Sequence, residues 1–149
     1  MNYFAYGSNM DVRRMKKRNV TFRERRAAYL CGYRLEFNKV ASDNPLKGYA
    51  NIVPDHSSLV EGALYEIDVT SLLKLDKCEG YPNHYLHIPI KVLLPNESRE
   101  FCAITYIANP SKVRGGLKPS REYLCYLLAG KDVLSKDYFD RLETMDTLD

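Results

Sequence analysis

Two short segments of this chain carry residue types that can do chemistry. The first is Tyr6-Gly7-Ser8-Asn9, which follows an apolar stretch and precedes a run with helical character. A glycine there lets another group approach the backbone, and free N–H groups at a helix start can hold a carboxylate or a developing oxyanion. The second, about seventy residues on, is Leu75-Asp76-Lys77-Cys78-Glu79-Gly80. Here a carboxylate stands at the end of a short helix, facing the negative end of its dipole, and the glycine that follows frees it to point into a cavity. A glutamate so placed can move a proton. Taken singly, each segment also has a plain structural account: Gly7 makes a turn, Ser8 caps a helix, and Glu79 lies in solvent.

Other candidates are weaker. Asp76 sits three residues before Glu79 and can share its helix face, where it reads as a structural hydrogen-bonding residue. His84 and His87 fall in a strand, whose alternation sends them to opposite faces. With no HExxH pattern and no cysteine beside them, no metal site is expected. Cys78 adjoins the glutamate, but no histidine partner is placed for it, and it reads as an inert buried thiol. No cofactor is expected.

The elements that must position these residues follow from periodicity. Residues 2–6 read as a short buried strand, and a helix from Ser8 to about Arg18 carries the Ser8-x-x-Asp11 spacing of a capping box. Between Ala28 and Phe37 apolar residues alternate, as in a half-buried strand. Segments 49–53 and 59–67 read as two more strands, separated by the polar turn Pro54-Asp55-His56-Ser57. Asp68 or Thr70 can cap a helix that stops near Glu79-Gly80. Strands follow at 85–93 and 100–108, then a loop at 109–119 long enough to act as a binding-site flap, and helices at 119–129 and 135–145. About six strands before two terminal helices predict an α+β fold, a strongly curled sheet or small β-barrel with flanking helices. No repeat or linker divides residues 1–149, which read as one domain.

Composition narrows the class. The chain is 45% hydrophobic and 28% charged, within the globular range, and has twelve tyrosines but no tryptophan. No apolar run approaches the ~20 residues of a membrane helix, and the N-terminus has no signal-peptide pattern. Cys31, Cys78, Cys102 and Cys125 form no CxxC pair and read as reduced core thiols of a cytoplasmic protein. The first 26 residues hold eight basic side chains against Asp11 and Glu24. No aromatics interleave with Arg13–Arg18, so this cluster reads as a solvated helix face rather than a nucleic-acid site.

The two segments together say more than either alone. Tyr3-Phe4-Ala5-Tyr6-Gly7-Ser8-Asn9-Met10, followed by Leu75-Asp76-x-x-Glu79-Gly80, closely resembles the γ-glutamylcyclotransferase family, which includes γ-glutamylamine cyclotransferases and AIG2-like proteins. The likeness runs on through Gly62-Ala63-Leu64-Tyr65-Glu66-Ile67, Tyr85 and Pro119-Ser120-Arg121-Glu122-Tyr123, in the family's order. Met10, where leucine is common, and Pro82-Asn83-His84 before Tyr85 are the main departures; the second puts substrate preference in doubt. The resemblance implies that Glu79 is the catalytic acid/base and that Tyr3, Phe4, Ala5, Tyr6, Gly7, Ser8 and Asn9 form the substrate-binding strand and turn, with Tyr85 and Tyr123 also at the pocket. It implies a γ-glutamyl small-molecule substrate, cyclised to 5-oxoproline with release of an amine, as in glutathione metabolism. Neither nucleic acid nor membrane is an expected partner; a homodimer is suggested by the resemblance alone. The amine side is expected to be selected by the 109–119 loop and the Tyr81–His84 rim. A specialised γ-glutamyl amide as substrate, or a non-catalytic binding module on the same scaffold, stays open.

Overall fold

A computed structural model describes residues 1–149. The apolar stretch Asn2–Ala5 forms β1, with three of its four residues buried. The alternating segment extends past its apolar centre at both ends, and Glu24–Val40 makes β2. Gly48–Glu66 is then one continuous strand, β3, where two strands and a turn were expected. The polar stretch does carry turn chemistry: Asp55 accepts from the amide of Ser57 at 3.1 Å and from the hydroxyl of Ser58 at 2.8 Å. Yet the chain does not reverse there. Pairing with β2 jumps from Cys31 opposite Leu59 to Tyr33 opposite Pro54, and Gly32 between them takes a φ of 86°. The extra residues are absorbed as a bulge, which bends the ribbon and keeps it one strand. Five strands result instead of about six.

β4 (Tyr85–Leu93) and β5 (Glu100–Ala108) form an antiparallel hairpin. The strands close in the order β1-β3-β2-β4-β5, and β5 returns to β1 in parallel through Tyr3 and Ile104. Closure leaves no open sheet edge. The fold is therefore α+β, a closed five-strand barrel with helices outside: α1 (Val12–Lys17), α2 (Val69–Glu79), α3 (Arg121–Leu128) and α4 (Lys136–Glu143). Phe4, Ile52, Val60, Leu64, Tyr65 and Leu124 are among the most deeply buried side chains. Burying a residue of this kind stabilises by roughly 1.5–3 kcal/mol. No helix is long and apolar enough to cross a membrane.

Two expectations change. All four cysteines are free but exposed, so none is a core thiol. They are small enough to sit on outward strand and helix positions, and hydropathy alone does not separate those from inward ones. The 109–119 loop is tied down along the ends of β2 and β3: Arg114 donates its amide to Asn38 at 2.8 Å, and Gly48 donates to Lys118 at 2.9 Å.

Candidate active site

Glu79 is the last residue of α2. Asp68 caps the start of that helix, accepting from the amide of Ser71 at 2.8 Å. Gly80 ends it in the left-handed conformation, with φ 67°, and a Cβ at Gly80 would stand 2.7 Å from the His84 ring. A side chain there would meet both strain and a clash, so glycine fixes where Glu79 leaves the helix.

The N-terminal turn is organised differently from the expected capping box. Ser8–Met10 is a single 3₁₀ turn, and the helix that follows, α1, is capped by Asp11, whose carboxylate accepts from the Arg13 amide at 2.8 Å. Ser8 caps nothing; its hydroxyl accepts from Arg14 Nε at 3.0 Å. The amides of Gly7 and Ser8 donate to no acceptor in the protein.

This turn and Glu79 meet directly. Asn9 Nδ2 donates to Glu79 Oε1 at 3.0 Å and to the Tyr3 hydroxyl at 2.9 Å. Arg18 closes a triangle, donating to Glu79 Oε1 at 3.0 Å and to Asn9 Oδ1 at 2.9 Å. Arg18 and Glu79 are both 16% exposed, so the pair is largely shielded from water. Oε1 is thus held twice, while Oε2 has no hydrogen-bond partner. The basic cluster read as a solvated face therefore sends one member inward, and Arg14 also turns in, lying over the Tyr126 ring at 4.3 Å.

A cleft opens at this point, with an inner recess of about 30 Å³ and an outer basin of about 250 Å³. Tyr3, Tyr6, Gly7, Ser8, Asn9 and Tyr106 line the recess; Ser8, Glu79, Tyr85 and Tyr123 border both parts. Tyr85 donates to the Ala50 carbonyl at 2.7 Å and Tyr123 accepts from the Ala50 amide at 3.1 Å, so both phenols are anchored on β3. Tyr3 and Tyr123 each accept one bond but donate to no protein group, leaving two hydroxyl protons for a ligand. Burial, with Glu79 adding to it, pushes the Tyr3, Tyr6, Tyr85 and Tyr123 phenols upward, so they are neutral donors near pH 7. Phe4 and Ala5 are buried and do not line the cleft.

The sequence reading missed four contributors. Arg18 pins Glu79. Tyr106, on β5, donates to Asp76 at 2.6 Å and packs edge-on to Tyr3, which gives Asp76 a supporting place beside the recess. Lys39 and Arg14 line the outer basin. That basin is bordered by His84 but not by the 109–119 loop. His84 meets Lys39 and His87 meets Asp76, and no cluster of three metal-ligating side chains forms.

A closed five-strand barrel with helices outside is the fold of a known class. The family model for γ-glutamyl cyclotransferase, AIG2-like proteins matches residues 3–125, and the chain belongs to that family. Family and fold place it among γ-glutamyl cyclotransferase-type enzymes. Solved structures agree on the fold. An uncharacterized protein from Homo sapiens superposes with a TM-score of 0.85 at 25% identity, over 99% of this chain and 89% of that one. A γ-glutamyl cyclotransferase superposes with 0.86 at 24% identity, again over 99% and 89%. A yeast γ-glutamyl cyclotransferase specific to glutathione gives 0.65 at 14% identity, over 95% and 93%. No curated protein matches the sequence.

Proposed function

We propose that the protein cyclises a γ-glutamyl compound, releasing 5-oxoproline and a free amine. The observation that carries this reading is the meeting of Glu79, held at Oε1 and open at Oε2, with the unengaged amides of Gly7 and Ser8 at one recess.

In such a substrate the α-amine attacks its own γ-carbonyl. A C–N bond forms to close a five-membered lactam, and the C–N bond to the leaving amine breaks. The substrate supplies its own nucleophile, so the protein must fold the chain, take a proton from the α-ammonium and return one to the departing nitrogen. Oε2 of Glu79 is the group for both transfers, which occur in sequence on one tetrahedral intermediate. The Gly7 and Ser8 amides, with the hydroxyl protons of Tyr3 and Tyr123, hold the α-carboxylate and the oxyanion; each oxyanion contact is worth roughly 3 kcal/mol. Orientation in a narrow recess supplies the rest, on the order of 7–11 kcal/mol in the best-aligned intramolecular reactions.

Running the reaction in heavy-oxygen water tests the chemistry. Cyclisation gives 5-oxoproline with no solvent oxygen. Hydrolysis at the same site would give glutamate carrying one heavy oxygen, and that product would overturn the proposal.

A further inference from the structure

The outer basin carries an uneven charge. Arg14, Arg18, Lys39 and Lys77 border it, against Glu79 as its one carboxylate, and Arg18 already pairs with Glu79. Arg14, Lys39 and Lys77 make no ion pair: Arg14 bonds the neutral Ser8 hydroxyl, and Lys77 is exposed. Lys39 is the unusual member. It is 2% exposed, and its Nζ lies 2.9 Å from His84 Nδ1 and 5.6 Å from the ring centres of Tyr49 and Tyr85. An ammonium can only donate, so Nδ1 accepts and the ring proton of His84 sits on Nε2. Burial and the nearby Lys112 work against its charge, and Glu79, already paired with Arg18, offsets them only in part. A buried ammonium without a carboxylate partner is costly, and it is relieved when an anion arrives.

Geometry says what that anion belongs to. The unengaged Gly7 amide and the free Tyr3 hydroxyl proton, assigned above to the glutamyl end, border the recess and not the basin, and Glu79 stands where recess and basin join. The scissile carbonyl must lie at that junction, so the leaving amine projects into the basin. We propose that the basin is an anion subsite centred on Lys39, which takes a carboxylate carried by the leaving amine. The favoured donors are then γ-glutamyl amino acids or peptides with a free carboxylate rather than γ-glutamyl alkylamides. This assignment rests on the cyclisation reading for its orientation, though the subsite itself is testable by binding alone.

The experiment compares γ-glutamyl-alanine with γ-glutamyl-alaninamide, which differ only in that carboxylate. The native protein should favour the acid by at least about tenfold in kcat/KM, the scale of one charge-assisted contact. Lys39→Met should collapse the ratio toward one, through KM rather than kcat, and Lys39→Arg should keep most of it. Calorimetric titration of both compounds into Glu79→Gln protein separates the two readings. Tighter binding of the acid upholds the subsite even if no donor is turned over, which would count against cyclisation alone. Equal affinity for acid and amide, or an unchanged ratio in folded Lys39→Met, would overturn the subsite.

Discussion

Arg18 holds in place the carboxylate to which the proposed chemistry is assigned. Its guanidinium reaches Glu79 and Asn9 together, so removing it frees the carboxylate to rotate while leaving the Gly7 and Ser8 amides in place. Arg18→Gln is expected to lower kcat by at least about tenfold with little change in KM, and to cost on the order of 2 kcal/mol of stability for the lost charge-assisted bonds. Steady-state kinetics and denaturant unfolding read both; a rise in KM alone would contradict the positioning role. Glu79 and the Tyr6–Asn9 turn were legible in the sequence because their spacing is distinctive. Arg18 and Lys39 were not. Arg18 is one of five cations in a seven-residue window, and nothing in local pattern marks the one that turns inward. Lys39 sits two residues beyond the expected end of its strand, and its burial depends on His84, Tyr49 and Tyr85, which long-range packing brings to it.

At the scale of elements, α2 and the last two strands lie where they were expected, while the start of the N-terminal helix and the β2–β3 ribbon do not. The α2 stop at Gly80 was legible because a left-handed C-cap needs glycine, and β4 and β5 span the residues expected of them, though their pairing as a hairpin was not read. The Ser8 capping box failed because two candidate caps stand three residues apart. Asp11, an acceptor with two oxygens, caps the helix, and Ser8 is left to Arg14. The turn at residues 54–57 failed for a different reason. Its side chains do form turn-like bonds, but the positive φ of Gly32 on the facing strand lets the ladder resume beyond it. Whether such a segment reverses or bulges is decided by its partner strand, which local sequence does not contain.

Across the whole molecule, the tyrosines report how closely the barrel wraps its recess. Burial raises the phenols of Tyr3, Tyr6, Tyr65, Tyr85, Tyr106, Tyr123 and Tyr138 above their ordinary value. A pKa raised on folding contributes stability that is fully present below the unfolded value of about 10 and is lost as pH climbs past it. An alkaline titration followed by phenolate absorbance should therefore show these seven ionising above pH ~10, together with loss of near-ultraviolet circular dichroism. Their complete ionisation by pH ~10 in a still-folded chain would contradict the packing described here. The central claim is narrower than the barrel: one carboxylate, held by Asn9 and Arg18, moves the proton. Release of 5-oxoproline by native protein and by Glu79→Gln, with γ-glutamyl-alanine binding measured alongside, tests it most directly. The account predicts retained binding and a loss of turnover of at least ~100-fold; equal 5-oxoproline release from both proteins would contradict it.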